Sequence, residues 1–376
     1  MTTIDAPRGW RLGAPGGVPI HLSATWPILV IVIVVSFGPQ VARAVPGLGA
    51  LGAYVVAAVY AGLLMVSVLA HEGAHAAGAR AMGARVGYIV IDGFGGHTTY
   101  EASRLTPARS ALIAVVGPLA NGALAAAGWF LLPLLPEGVP RLLGIAFVLT
   151  NGIVGAFNLV PGHPLDGGHL LDALVWQVTG RRDLGMLVSG WAGRLVVVAL
   201  VGWLVVAPLL AGDRPSFLIL AWTGLIGAML WSGASQAVRT GRDMGAYHRI
   251  DLPSVMSPVL VVHEQDSLDV VARRVEETRS RTGLTPVVLV ESDEGVGLLA
   301  GVDEGTPAGT PAGRFTDPLP PGWSVDVDTM PSVAAIVDHM HARSVSMVVL
   351  RRGEEPVGAV TASAVRAALT RAGAAS

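Results

Sequence analysis

Residues 44–75 read AVPGLGALGAYVVAAVYAGLLMVSVLAHEGAH, an uncharged run from Ala44 to Ala70 that leads without a break into His71, Glu72 and His75. A stretch of about 20 mainly apolar residues is long enough to cross a bilayer as a helix. The same helix therefore delivers two imidazoles and a carboxylate to the end of a hydrophobic span. Histidines four apart share one helix face, so both rings can reach one ion, and Glu72 beside them can accept a proton from an attacking water. The bland alternative, two histidines capping an apolar helix with Glu72 reaching for the interface, buries three polar groups in lipid with nothing to compensate them.

The rest of the chain repeats the apolar theme. Further runs cover Leu22–Phe37, Ser110–Pro136, Leu142–Leu165 (uncharged except for His163), Leu184–Gly212 (broken only by Arg194) and Pro215–Val238. That predicts a polytopic α-helical membrane domain of about six transmembrane helices at 22–240. It follows a cytoplasmic N-terminal segment at 1–21 that shows no cleavable signal peptide. Across all 376 residues 52% are hydrophobic and 14% charged, against roughly 25% charged in soluble domains, and mean hydropathy is +0.58. The deficit is confined to the part before Arg239. A net charge of −2 gives no reason to expect a nucleic-acid partner, and none is expected. Without cysteine, a transition metal must be held by His, Asp or Glu.

Arginine, the only basic residue besides histidine, sets the expected orientation. Arg8, Arg11, Arg80, Arg85, Arg104, Arg109, Arg181 and Arg182 fall on one side of the spans, and Arg43, Arg141 and Arg214 on the other. Both termini are expected in the cytoplasm of a multi-pass plasma-membrane protein. Between spans two and three, VGYIVIDGFGGHTTY (Val86–Tyr100) carries β-branched residues and a glycine pair, and predicts a short strand or hairpin.

A second constellation is NLVPGHPLDGGHL, Asn158–Leu170. Asp166 ends the inward-going fourth span as His71–His75 ends the inward-going second, so all three side chains are expected at one depth. Asp166 can then be a third ligand, leaving a fourth position open as a catalytic zinc requires. His97, His163 and His169 lie near this site and are read as interfacial hydrogen-bonding residues. Asn121 and Asn151 are read as interhelical hydrogen bonders, Arg194 as reaching the headgroups, and Gly117 as permitting close helix packing.

After Tyr247 the pattern becomes soluble α/β. Two copies of a strand, an amphipathic helix and a VVL strand form a repeat of roughly 60 residues, joined by the Pro/Gly-rich stretch at 305–313. The expected division is a linker at 241–254, then repeat units at 255–312 and 313–372.

HEGAH on a membrane helix, GPLAN at Gly117–Asn121 on the next and NLVPGHPLDGG on the fourth resemble, in sequence and in order, the site-2 protease family of intramembrane zinc metalloproteases. The resemblance covers roughly residues 8–240. It implies one Zn²⁺ per chain on His71, His75 and Asp166, with Glu72 as general base. It also implies that Asn158 contacts substrate or a developing oxyanion, and that the loop containing Gly95 and Gly96 pairs with an unwound substrate. The implied substrate is a single-span membrane protein, such as a membrane-bound regulator of transcription already trimmed by another protease, met in membrane lipid. The repeat resembles a pair of cystathionine-β-synthase (CBS) motifs, which implies a homodimer through that pair and a cleft for an adenine nucleotide. Thr361 matches the nucleotide signature, but Ala364 stands where an aspartate would hold the ribose, so nucleotide binding is expected to be weak or absent. Two other readings stay open. A CBS-regulated transporter or ion pathway would not need Glu72 beside a histidine pair, and an inactive scaffold would not need the intact ligand set.

Overall fold

The structure is a computed structural model, and it describes residues 9–374 except 94, 102–104, 294, 304 and 331; for 372–374 it describes the backbone alone. Arg8 and Arg104 of the orientation argument and Phe94 of the GFGGH loop lie outside the described residues. The chain divides into two units, Met1–Arg242 and Asp243–Ser376.

The first unit opens with two short strands, β1 (Trp10–Gly13) and β2 (Ile20–Leu22), ahead of helix α1 (Trp26–Ala44). The sequence predicts a first span at Leu22–Phe37 after a plain N-terminal segment. Instead Leu22 belongs to β2, and the helix runs on past Phe37 with Pro39 inside it. Helix α2 (Gly49–Ala81) continues through HEGAH rather than ending there. Next come β3 (Val86–Asp92) and β4 (Gly95–Tyr100), then α3 (Pro107–Leu131), α4 (Val139–Asn158), the short α5 (Asp166–Thr179) and α6 (Arg182–Val201). A π-helical turn at Gly202–Val206 joins α6 to α7 (Ala207–Leu210), and α8 (Phe217–Tyr247) follows. Six of these helices are long and apolar enough to cross a membrane: α1, α2, α3, α4, α6 with α7, and α8.

The packing is that of a membrane bundle. Small residues line the helix contacts, with Ala53, Ala57, Ala61, Ala79 and Ala114 nearly inaccessible, while Leu51, Phe130, Leu210 and Phe217 face outward. Between helices in lipid no hydrophobic drive exists, so close backbone approach and interhelical hydrogen bonds do the joining. Asn121 on α3, Asn151 on α4 and Ser67 on α2 are linked in this way, as the sequence predicts. Arg194 departs from its prediction. Its guanidinium lies between the Trp191 and Trp231 rings, 4.6 and 5.3 Å from their centroids, and donates to Ser235 Oγ on α8 at 3.1 Å. It therefore ties α6 to α8 by cation–π and hydrogen-bond contacts.

The four strands form one sheet in the order β1-β2-β3-β4, with β3 and β4 antiparallel and β2 parallel to β3. β4 is an edge strand, and its other neighbour is the motif-bearing α2, through Thr98 and Glu72.

Among its described residues the second unit holds two four-stranded sheets. One is β6-β7-β8-β9, from β6 (Val259–His263), β7 (Val287–Ser292), β8 (Gly295–Leu299) and β9 (Thr316–Pro318), with α9 (Leu268–Thr282) crossing between β6 and β7. The other is β10-β11-β12-β5, from β5 (Met256–Ser257), β10 (Ser324–Asp326), β11 (Met347–Arg352) and β12 (Glu355–Thr361). Here α10 (Val333–Arg343) crosses between β10 and β11, and α11 (Ala362–Ala374) closes the unit. The parallel pairs β6/β7 and β10/β11 are the two copies of the repeat. The sheets do not respect a division at 312/313, because β9 completes the first sheet from beyond it and β5 completes the second from the far end of the repeat. Leu289, Val349 and Ala359 form the buried seam between the two sheets.

Candidate metal centre

One helical turn of α2 brings His71 and His75 side by side, and the N-terminus of α5 brings Asp166 against them. Asp166 Oδ2 lies 3.1 Å from His71 Nε2 and Oδ1 lies 3.3 Å from His75 Nε2; the two Nε2 atoms are 3.1 Å apart. His71 and His75 are each 7% exposed and Glu72 5%.

The hydrogen bonds around the rings decide what those atoms present to one another. His75 Nδ1 faces the main-chain oxygen of Ile113 at 2.7 Å. A carbonyl only accepts, so Nδ1 carries the hydrogen and Nε2 of the neutral ring carries a lone pair. For His71 the decision comes from further away. Asn151 Nδ2 donates to Phe147 O at 2.9 Å and to Ser67 Oγ at 3.0 Å, which turns Asn151 Oδ1 toward Asn121. Asn121 Nδ2 donates to that oxygen at 2.8 Å, which turns Asn121 Oδ1 toward His71 Nδ1. His71 Nδ1 is then the donor, and its Nε2 is also free to ligate.

Two imidazole lone pairs and a carboxylate thus face one another at close range with no hydrogen to share. Asp166 Oδ2 is buried and makes no hydrogen bond despite that proximity. A bound cation, or a proton on one of the imidazoles, resolves such an arrangement. A tetrahedral zinc with bonds of about 2.0–2.1 Å sets its ligands roughly 3.3 Å apart, close to the separations seen, so the residues present fit zinc.

Two glycines shape the surroundings. A Cβ on Gly117 of α3 would lie 2.6 Å from His75 Cε1 and 2.8 Å from His71 Cε1, and closer still to His75 Nε2. The sequence reading of Gly117 as a helix-packing residue is therefore incomplete: it keeps the space beside the His71 and His75 rings clear. A Cβ on Gly96 of β4 would meet Glu72 Cγ at 2.8 Å and Oε1 at 3.1 Å, whereas Gly95 adopts φ +138°, a conformation that suits glycine. Thr98, two residues on, sets its hydroxyl 2.8 Å from Glu72 Oε2 and 3.0 Å from Glu72 O.

The other residues singled out from the sequence fall outside this cluster, and Asp166 reaches it by a different route from the one expected. The sequence puts Asp166 at the end of the fourth span. Helix α4 in fact stops at Asn158, a turn containing Pro161 and Pro164 intervenes, and Asp166 stands in the first turn of α5. Asn158 is the last residue of α4, half-buried. His97 is exposed on β4, 3.9 Å from Asp92, and His163 and His169 gather with Asp172 instead. Asn121, Thr98 and Gly117 belong to the site although their part in it escapes sequence reasoning. The available signal was spacing: Gly117 and Asn121 are one turn apart on α3, as His71 and His75 are on α2.

Residues 133–200 match Peptidase family M50. That stretch runs through α4, α5 and most of α6 and contains Asp166. Among curated proteins, one from Synechocystis sp. whose name is zinc metalloprotease is 30% identical over 262 residues, 66% of this chain and 66% of that one. Rip3 of Mycobacterium tuberculosis, similarly named, is 32% identical over 231 residues, 60% of this chain and 57% of Rip3. The chain thus spans just under two thirds of the first relative and less of the second. A solved site-2 protease from Methanocaldococcus jannaschii is 22% identical, with a TM-score of 0.44, over 61% of this chain and 94% of that one.

Proposed function

We propose that the chain is a zinc-dependent intramembrane protease that hydrolyses a peptide bond within or near the transmembrane segment of a single-span membrane protein, in regulated intramembrane proteolysis. The observation that carries this reading is the convergence of His71 Nε2, His75 Nε2 and one carboxylate of Asp166 beside the buried Glu72.

Zinc held there would polarise the scissile carbonyl and bring the pKa of a water down toward about 7. Glu72 takes the proton of the attacking water and returns it to the departing amine. Thr98 holds the Glu72 carboxylate in place from β4. Asn158 contacts the substrate or the oxyanion as it develops. A membrane helix hides its carbonyls in its own hydrogen bonds, so the substrate has to unwind, and the edge strand β4 takes it at Gly95 and Gly96 as an added strand.

The site's depth is compatible with this. His71 lies 22 residues along α2 from Gly49, or about 33 Å at 1.5 Å per residue, near the far boundary of a hydrocarbon core about 30 Å thick. Both termini lie in the cytoplasm, the membrane is the plasma membrane, and the centre opens on the cytoplasmic side. The second unit acts as a CBS pair that dimerises the chain or gates substrate, with little or no use of an adenine nucleotide.

The test is co-expression of the full chain with candidate single-span proteins, followed by mapping of the fragments. Wild-type protein should release a cut fragment. Glu72→Gln should keep its zinc while cleavage falls by about two orders of magnitude or more. Cleavage at the normal rate by Glu72→Gln would overturn the reading.

A further inference from the structure

His163, His169 and Asp172 each offer one ligand atom, and these three atoms lie within 4.8 Å of one another. Asp172 is 2% exposed and its Oδ1 has no hydrogen-bond partner; His163 is 5% exposed and its Nε2 has none. The two imidazole rings stand edge to face, 4.4 Å between centroids at 89°. Arg182, the nearby cation, stacks on the Trp176 ring at 5.2 Å. That same Asp172 Oδ1 is the atom nearest a Cβ built on Gly185 of α6, so glycine there makes room for it.

A buried carboxylate and a buried imidazole nitrogen that both lack a partner are costly unless something compensates them. We infer that His163, His169 and Asp172 form a second metal site, distinct from the His71, His75 and Asp166 centre, that takes a divalent first-row transition ion. Two imidazoles and one carboxylate suit zinc first. As a residue His169 is exposed, while its imidazole group is buried.

The location gives the ion a task. His163 sits in the turn after α4, whereas His169 and Asp172 sit one and two turns into α5, the helix that begins with Asp166. Asp172 is six residues from Asp166, about 9 Å along the axis. An ion on these three residues clamps the turn onto α5 from both sides of Asp166 and so positions that carboxylate. It is a structural ion, separate from the hydrolytic one, and its presence does not depend on the proposed activity.

The test is metal content of the purified full chain by elemental mass spectrometry after removal of loosely bound ions. Wild type should hold two ions per chain, and the double variant His71→Ala/His75→Ala should hold one. Asp172→Asn and His169→Gln should each hold one, and either combined with the double variant should hold none. His169→Gln changes an exposed residue and guards against a folding failure at Asp172, with thermal melting as the control. Cobalt loaded into His71→Ala/His75→Ala should give a visible absorption band that His169→Gln abolishes. A wild-type chain with a single ion that disappears in His71→Ala/His75→Ala would overturn the inference, as would two ions retained in both Asp172→Asn and His169→Gln. In the first of these cases a proton or a water compensates Asp172.

Discussion

Asn151 donates its side-chain amide to the main-chain oxygen of Phe147, 2.9 Å away on the same helix, and that bond settles which nitrogen of His71 carries the hydrogen. The carbonyl cannot donate, so the orientation of Asn151 is fixed, then that of Asn121, then the tautomer of His71. A main-chain atom of α4 thereby prepares a ligand on α2 through a side chain on α3. Interhelical asparagines of this kind hold a membrane bundle together and orient the site in the same stroke.

Asn121→Ala removes the acceptor at His71 Nδ1 and should weaken zinc binding by about 10–100-fold, the usual effect of losing a residue that orients a ligand histidine. Competition with a chromogenic chelator measures it. Asn151→Ala should cost less, because Asn121 keeps its contact with His71. Equal zinc affinity in Asn121→Ala and wild type would show that the tautomer of His71 is set by something else.

Gly117→Ala should be more damaging than its size suggests. The added methyl would press on both ligand rings, and α3 cannot retreat without disturbing Ile113, whose carbonyl holds His75. Zinc content should fall well below one equivalent at this centre while the helices stay folded by circular dichroism. A full complement of zinc with normal thermal stability would mean that the rings can shift aside.

Gly96→Ala separates the base from the metal. Its methyl would meet Glu72 Cγ and Oε1, not the ligand nitrogens. Cleavage should drop by about 10-fold or more while zinc content stays at the wild-type level. Thr98→Val should move in the same direction, since a hydrogen bond to a charged group contributes roughly 1.5–3 kcal/mol. If Gly96→Ala loses zinc together with activity, Glu72 and the ligand shell are not separable in this way.

How far the sequence could be read depended on whether the signal was local. HEGAH was legible because two histidines four apart share a helix face wherever that helix sits. The six apolar helices were legible from length and composition, but hydropathy is blind to a turn made of uncharged residues. The run Leu142–Leu165 therefore concealed the end of α4 at Asn158, although Pro161 and Pro164 were there to mark it. Strands β1 and β2 are short; β1 pairs with β2, and β2 is held by β3, far along the chain on the other side of two helices, a non-local relation. Gly117 needed the coordinates of His71 and His75 before its hydrogen side chain made chemical sense. Asp172 was unremarkable in sequence, and only its burial without a partner draws notice.

Topology is tested with reporter fusions. Fusions after Arg182 and at the C-terminus should read as cytoplasmic, and one near Pro46 in the short link between α1 and α2 as external, following the arginine asymmetry. An external C-terminus would mean that one of the six apolar helices does not cross, and α1, with 19 residues and Pro39 inside it, is the first to examine.

The last prediction concerns the second unit. Thr361, the residue that would touch phosphate in a nucleotide cleft, ends β12. Its hydroxyl accepts the main-chain N–H of Ala364 at 3.1 Å and lies 3.0 Å from Ser363 Oγ. The hydroxyl thus already serves to cap α11. Ala364 itself packs against the buried cluster around Val348, Leu350 and Val360, so its methyl group serves the core and offers no acceptor to a ribose. In the other half, among the described residues, no helix follows β8; the chain passes to a short 3₁₀ turn at Ala312–Phe315, and a second Thr-and-Asp pair has no place to sit. Calorimetric titration of ATP and of AMP into the detergent-solubilised full chain should give no saturable heat in the micromolar range, and thermal stability should not rise with either nucleotide. Low-micromolar affinity for either one would show that main-chain groups of this unit suffice for the nucleotide without the missing aspartate, and that the unit senses adenylate charge.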